Sequence, residues 1–469
     1  MKTQNETPTF VQFRQQVYQN LTKRVDSAME LLDALCSTPN ACAVVELSLS
    51  PHFRRTYTAL YKAIDENDWD QLDLARLAGS CVKASKKRPY WLMGLDGTSQ
   101  RRQYAYALKD RGYVYYPNSV AGNKPVTIGH EYSTVALLPE DTPARTKSWV
   151  VPLAVERVST QDDKELVGAE QIKALLEDDQ LPWHGELVVE TGDSRYSKPE
   201  YLHAAHEDHP NLISVVRARG NRTLYHYLEP PEENPPHRPK YKGKAFRLPD
   251  ADTHTSPDET VTLEVEAKRG QTHTVELEAW SDIVMPGKNK PVRIPMENYP
   301  FRLVRVIRYD EEGEMVFARP VWLIIVGKRR AELSLEDIYE AYFSRSRLEH
   351  FFRFGKQKLL LNDFQTPETP REETWWRICH LAYLMLWKAL PLAQHHPRPW
   401  ERNLPQNKRK VMSPSLVQRD FSRLISQFGT PAQPPKPRGK SPGRPQGFRL
   451  PPRKRHSVVY KGQNQASAT

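Results

Sequence analysis

The chain is 469 residues long with 38% hydrophobic content, enough for two or three domains with cores of their own. Its formal net charge is +11, but nine Lys or Arg and no Asp or Glu fall between 430 and 469, leaving about +2 for everything else. No apolar run approaches the roughly twenty residues of a membrane span, the segment MKTQNETPTF has no signal-peptide core, and Cys36, Cys42, Cys81 and Cys379 show no CxxC pairing. Neither a Walker A motif nor a dinucleotide-binding glycine pattern occurs, which argues against ATP or NAD dependence. A soluble cytoplasmic protein with a polyanionic partner is the expectation.

Residues 1–85 read as a helical domain. FVQFRQQVYQNLTKRVDSAMELLDALC has amphipathic spacing, LSLSPHFRRTYTALYKAI starts a second helix at Ser-Pro, and DWDQLDLARLAGSCV is a third. Residues 86–225 then alternate in type. YWLMGLDG, RQYAYALKDRGYVYYP, NKPVTIGHEYSTVALLP and SWVVPLAVERV read as successive strands. KELVGAEQIKALLEDD has helical spacing in Leu166, Ile172, Leu175 and Leu176, ELVVETGD returns to strand, KPEYLHAAHEDH is a short helix and NLISVVRARG a further strand. This is the order of a mixed α/β sheet with flanking helices.

Between 226 and 330 the pattern changes. EPPEENPPHRPKYKGK is Pro-rich and charged, as in a linker or exposed loop, and TVTLEVEAKRG, HTVELEAWSDIVM, PFRLVRVIRYD and PVWLIIVGK follow as antiparallel-type strands of a β-rich insertion. Residues 331–395 return to helix, 396–429 form a C-terminal helical segment, and 430–469 are too rich in Pro, Gly and charge to bury a core, so disorder is expected there.

Within 331–395, Tyr342, Arg345, Glu349 and Lys356 stand in the order Y-x2-R-x3-E-x6-K. Spacings of three, four and seven place them on one helix face, with a carboxylate flanked by a phenol, a guanidinium and an ammonium. Such a row is commonly a solvated face of i,i+4 ion pairs. Two other carboxylates change the weighing: Asp96 ends the apolar run of RPYWLMGLDGTSQ and Asp193 that of GELVVETGDSRYSKPE, each beside a turn glycine, Gly97 or Gly192. A strand-end Asp is often only a turn former. Two of them with a helix Glu make a metal site worth proposing.

On these motifs the chain resembles the bacterial insertion-sequence transposases that carry a ribonuclease-H-like catalytic domain and a Tyr-Arg-Glu-Lys signature. The resemblance spans roughly residues 89–388. It implies a ribonuclease-H-like mixed sheet interrupted by a β-rich insertion, with Asp96, Asp193 and Glu349 as a catalytic triad holding two Mg2+ ions, for which Mn2+ can substitute. Tyr342, Arg345 and Lys356 are then expected on DNA phosphates. Trp322 stands twenty residues before Tyr342, where the family places a base-stacking Trp. A strand Trp is as often core, and Trp280 is the weaker candidate for the same role. Arg217, Arg219, Arg222 and Lys328 are candidate backbone contacts, and His130 a further neighbour, each equally ordinary as a structural or solvated residue.

The activity implied is cut-and-paste transposition. The enzyme binds the terminal inverted repeats of its own element, cleaves both strands, with a hairpin intermediate as one route, and joins the ends to target DNA, acting as a dimer on double-stranded DNA among nucleoid-associated bacterial proteins. End recognition by the helical N-terminal domain rests on analogy, since no helix-turn-helix pattern occurs there. The tail's Gly443-Arg444-Pro445 is a loose match to a minor-groove hook. The alternatives are an inactive, domesticated DNA-binding descendant and a glycosidase whose carboxylates form an acid/base pair.

Overall fold

The computed structural model describes residues 6–117, 124–140, 149–229, 241–267, 270–288, 291–401, 403, 412–437, 439 and 443–460. Most of the Pro-rich stretch read as a linker lies outside the described residues. In chain order the helices are α1 (Glu6–Asn20), α2 (Val25–Ser37), α3 (Tyr57–Glu66), α4 (Leu74–Gly79), α5 (Lys164–Glu177), α6 (Pro199–His206), α7 (Leu335–Ser344), α8 (Ser346–Lys358), α9 (Thr369–Ala389) and α10 (Pro414–Phe428). The strands are β1 (Trp91–Arg101), β2 (Gly112–Tyr115), β3 (Val126–Leu137), β4 (Val151–Val158), β5 (Val188–Gly192), β6 (Leu212–Arg217), β7 (Thr223–Tyr227), β8 (Lys242–Arg247), β9 (Glu259–Glu266), β10 (Thr272–Val284), β11 (Phe301–Tyr309) and β12 (Val321–Val326). The result is a mixed α/β protein with extensive mixed sheet and flanking helices, consistent with a ribonuclease-H-like fold. The residues divide into two compact units, and the boundary falls inside β1, between Asp96 and Gly97, and again just inside α8.

The first unit comprises 1–82, 97–164 and 347–469. Its core helix is α9, which starts at a Thr-Pro pair and buries Trp375, Trp376, Leu381, Tyr383 and Leu384. A helix apolar on most of its circumference must be covered all round. Here α1, α2, α3 and α10 lie against it on one side and β4 on the other. The N-terminal helices therefore share their core with α9 and α10 instead of forming a separate domain. Helix α2 also buries two acids that the packing satisfies: Asp33 is bound by Arg14 at 2.6 Å, and Glu30 by Arg54 at 2.7 Å and by Arg55. In the sheet β2 and β4 pair antiparallel with β3, and the end of β1 runs along the other strand of the same group so tightly that a Cβ on Gly129 would meet the Gln100 carbonyl at 2.0 Å. Only glycine fits that approach.

Two expectations fail in this unit. RQYAYALKDRGYVYYP contains only the short strand β2, because residues 102–111 fold as turns around two buried guanidiniums. Arg111 donates to the carbonyls of Leu108, Arg102 and Gln103, and Arg102 to those of Asn362 and Phe364, which takes this backbone out of any ladder. The other concerns the extent of contact made by the basic tail, part of which lies outside the described residues. Its described parts lack regular secondary structure, as composition suggests, but touch the rest of the unit: Ala432 offers its carbonyl to Arg54, Gln433 N donates to Asp26, and Val459 N donates to Arg111 O at 2.8 Å. Composition excluded a core of its own, and the tail instead uses the backbone groups and guanidiniums of a surface already built.

The second unit comprises 83–96 and 165–346. Strands β1, β5 and β6 pair in parallel, as βαβ connections through α6 require, and they are apolar on both faces: all five residues of β5 and the first five of β6 are buried. The insertion does not stand apart as a subdomain. β12 pairs antiparallel with β6 (Leu323 with Arg217 through Val326 with Ser214), β11 with β12, and β10 with β11, so these strands extend the sheet from its β6 edge, with β7, β8 and β9 attached through β10. An all-buried β12 explains why: an open β6 edge beside so apolar a strand would leave backbone groups unpaired. At the exit of β12, Gly327 has φ +142 and a Cβ there would strike the Leu212 carbonyl, so the turn toward α7 depends on glycine. Ser334 and Asp337 then form a capping box that starts α7.

One buried polar network lies under β5. Tyr201 donates to Glu190 Oε2 at 2.6 Å, Ser214 donates to Oε1, and His206 Nε2 meets the Ser214 hydroxyl at 2.7 Å. Burial pushes the Glu190 carboxyl up to about 7 against the pull of its two hydrogen bonds, and burial with the charge of His209 lowers His206 to about 3. A carboxyl raised in the folded state contributes stability that is fully present below the unfolded value of 4.5 and is lost as pH rises through about 7. Glu190→Gln should therefore flatten that loss, gaining up to roughly 3 kcal/mol over wild type at pH 8 relative to pH 5 at 1.36 kcal/mol per pKa step. Urea melts of the two proteins at both pH values check this.

Candidate active site

The β1/β5 register runs from Trp91 opposite Val188 to Gly94 opposite Thr191. Carried two residues further it sets Asp96 opposite Asp193. Two carboxylates thus stand at the same level on neighbouring parallel strands, on backbones about 5 Å apart; Asp193 follows the last residue of β5, whereas Asp96 lies within β1, which runs on through Gly97 to Arg101 in place of the exit turn expected there. Hydrophobic burial fixes this position, since both runs, Trp91–Leu95 and Val188–Gly192, are buried along their whole length and cannot slip. Both aspartates are half-buried.

Their other contacts differ. Arg345 Nη1 donates to Asp96 Oδ2 at 3.0 Å, with both side chains about 15% exposed, so the guanidinium is a fixed counter-charge to that carboxylate. Asp193 Oδ1 accepts from Arg195 N at 2.7 Å, the local turn bond expected of an Asp at a strand exit. That bond uses one lone pair of one oxygen and leaves Asp193 able to ligate as well. Tyr342 is only 7% exposed and packs against Phe343, with the Arg345 guanidinium 6.0 Å from its ring centre. The four signature residues do not share one helix: Tyr342 lies on α7, Arg345 is its C-cap with helical φ −55 and ψ −30, and Glu349 and Lys356 lie on α8.

In the first unit, Lys356 Nζ donates to Thr98 Oγ1 at 2.6 Å and to Ser99 O at 3.3 Å, and burial lowers its pKa. A partly desolvated ammonium held on hydroxyl and carbonyl oxygens is ready to exchange them for a phosphate. Glu349 lies in the first turn of α8. A residue pair that sequence reasoning missed accompanies Thr98: Lys164 is 7% exposed, pairs with Glu131 at 3.1 Å, and fills the space where a Cβ of Gly97 would stand. The only signal for it was the glycine itself.

The softer candidates separate. Arg217, Arg219 and Lys328 are exposed, whereas Arg222 turns inward to donate to Ser197 O at 2.7 Å. Trp322 is 5% exposed and sits in a cluster with Trp280, Phe246 and His254, under the Arg305 guanidinium at 5.9 Å. With the indole so placed, most of its surface is covered by aromatic neighbours. His130 is buried between Glu372, at 2.6 Å, and the Lys109 carbonyl, which makes it structural and not a phosphate ligand.

Mg2+ is commonly bound by one or two carboxylates plus substrate phosphates, and the Asp96/Asp193 pair supplies such oxygen donors from rigid backbone. Among the described residues no three His, Cys, Asp or Glu side chains stand close enough together to hold a metal ion by themselves. The pair therefore fits a cation that shares its coordination with a bound phosphate, and Arg345 balances the carboxylate charge without one.

Among solved structures the chain is similar to a piggyBac transposase, determined by cryo-electron microscopy as a synaptic complex with hairpin DNA. Identity is 12%, the TM-score is 0.37, and the match covers 91% of this chain and 72% of that one. No curated protein matches the chain. A family model described as DDE superfamily endonuclease matches residues 16–285, more than half of the chain, including Asp96 and Asp193 and ending before Glu349. With two carboxylates level on adjacent parallel strands inside the matched region, the chain belongs to the DDE superfamily endonucleases.

Proposed function

We propose that this endonuclease is the transposase of a bacterial insertion sequence, which binds the terminal inverted repeats of its element, cuts DNA at their ends and joins those ends to target DNA by a cut-and-paste route. The observation that carries the reading is the β1/β5 register that brings Asp96 level with Asp193 in a chain of this family. Asp96 and Asp193 hold Mg2+, or Mn2+ in its place, two ions per site. Glu349 is assigned as the third carboxylate by its place in the Tyr342, Arg345, Glu349, Lys356 spacing. When bound, the ions activate the attacking hydroxyl and stabilise the leaving oxygen in an in-line displacement at phosphorus. The chain's own part is positional: Arg345 exchanges Asp96 for a phosphate oxygen, Lys356 exchanges Thr98, and buried β1 and β5 keep the two carboxylates from moving apart. Arg217, Arg219 and Lys328, all exposed, suit contacts to the DNA backbone. Pairing two ends requires a dimer on DNA, in the nucleoid of a bacterial cytoplasm.

The test is cleavage of a labelled duplex carrying the element's terminal repeat, with Mg2+, with Mn2+ and with EDTA, for wild type and Glu349→Ala. Metal-dependent cuts at the repeat boundary that disappear in the variant are expected, and a denaturing gel of the same products reads whether the route passes through a hairpin. Specific binding without cleavage under every metal condition would leave the inactive DNA-binding descendant as the better description.

A further inference from the structure

Six of the seven exposed tyrosines among the described residues lie in one region of the first unit: Tyr104, Tyr106, Tyr113, Tyr115 and Tyr116, with Tyr460 from the C-terminal segment. On β2 the burial alternates, so Tyr113 and Tyr115 project on the same face, 56% and 59% exposed. The C-terminal segment binds the turns that lead into β2 and ties the region together. His456 N donates to Tyr106 O, Val459 N donates to Arg111 O, Arg111 Nη2 donates to His456 O, and the Tyr460 ring stands 5.5 Å from that of Tyr113. The Arg455 guanidinium lies 5.5 Å from the Tyr106 ring centre and that of Arg101 5.5 Å from Tyr116. Arg453, Lys454 and Arg455 are all exposed, and the nearest acid in sequence, Asp110, is turned away to Arg157 and Thr160.

An exposed aromatic face this size costs solvation unless something covers it. The described surface is one of phenol rings set among cations. Bases in a duplex are already stacked on each other, whereas an unpaired strand offers open π-faces together with phosphates, which is the combination that rings and guanidiniums receive.

We propose that this face binds single-stranded DNA, stacking bases on Tyr106, Tyr113, Tyr115 and Tyr460 and holding phosphates with Lys454 and Arg455. The proposal rests on the endonuclease reading for its choice of DNA, and gives the protein a place for the strand unpaired during cleavage, apart from the carboxylates that cut.

The test is fluorescence anisotropy of a labelled fifteen-nucleotide oligothymidine and of a duplex of equal length with the full-length protein, across a salt series. The double variant Tyr113→Ala/Tyr115→Ala should bind the single strand at least about tenfold more weakly and the duplex unchanged, and Tyr113→Phe/Tyr115→Phe should bind as wild type, because stacking needs the ring and not the hydroxyl. Lys454→Gln/Arg455→Gln should weaken binding and lower the salt slope by about two, one for each phosphate no longer neutralised. Equal weakening for single strand and duplex in the alanine variant, or no weakening in it, overturns the proposal, as does a wild type that does not bind the oligonucleotide. Plasmid cleavage measured on the same proteins keeps the readings apart: an active nuclease with unchanged oligothymidine binding in the alanine variant defeats this inference alone, and a protein without nuclease activity that binds as described defeats only the catalytic assignment.

Discussion

Asp96→Asn and Asp193→Asn are each expected to abolish metal-dependent strand cleavage while leaving duplex binding within a few-fold of wild type. Asn keeps the volume and one carbonyl oxygen, so β1 and β5 stay in register, but it removes the charge that holds a hard cation. Losing several kcal/mol of charge stabilisation in the displacement at phosphorus corresponds to a rate loss on the order of a thousandfold or more. The two variants differ in a second respect. Asp96→Asn also removes the carboxylate charge to which Arg345 Nη1 donates, so a modest loss of stability goes with it, whereas Asp193→Asn keeps the side-chain oxygen that accepts from Arg195 N. Thermal melting with and without Mg2+ supplies a readout independent of turnover: wild type should melt higher with the ion, by ligand linkage, and neither variant should. Cleavage that survives in both variants would remove the aspartates from the chemistry.

The largest effect on stability is expected from Glu372→Ala. Glu372 is fully buried on α9 and takes hydrogen bonds from Arg102 at 2.6 Å and Tyr132 at 2.9 Å, with His130 at 2.6 Å on the same oxygen as Tyr132. Removing it leaves a buried guanidinium with no counter-charge, which typically costs about 3–5 kcal/mol. Burial by itself would raise the Glu372 pKa, but the hydrogen bond and charge of His130 together with Arg102 outweigh it and hold the carboxyl below its usual value. For a carboxyl so depressed the stabilisation is present above the unfolded value of 4.5 and is lost as pH falls below it. Wild type should therefore lose stability steeply in acid, the alanine variant much less so, and Glu372→Gln should fall between them at neutral pH. Chemical denaturation at pH 7 and pH 4 measures both. The effects of Glu190 and Glu372 have opposite signs with pH because one carboxyl is buried with neutral partners and the other with cations.

Much of this was legible in the chain before any coordinates. Buried parallel strands announce themselves as largely apolar runs, so β1, β5 and β6 were readable, and with them Asp96 and Asp193 as carboxylates beside two such runs. Helices with period near 3.6 were readable for the same reason, but the break at Arg345, which divides the Tyr342 to Lys356 row between α7 and α8, was not. Backbone conformation set by distant partners was not. Residues 102–111 carry alternating aromatics like a strand, yet Arg102 and Arg111 draw them into turns through bonds to Phe364 and His456, hundreds of residues away. Trp322 reads alike as platform or core, and only the neighbours brought by β10 and β8 decide it.

By itself the sequence determined most of the helices and the buried strands, and placed two carboxylates beside those strands, because those properties follow from the side-chain period of a few consecutive residues. Tertiary structure alone decided the pairing of Asp96 with Arg345, the continuation of the sheet from β6 into β12, and the fixing of a tail too polar to fold alone. Each of these depends on groups far apart in the chain meeting at hydrogen-bond distance, where the cost of leaving a charge or a backbone amide unpaired in a buried place selects the partner.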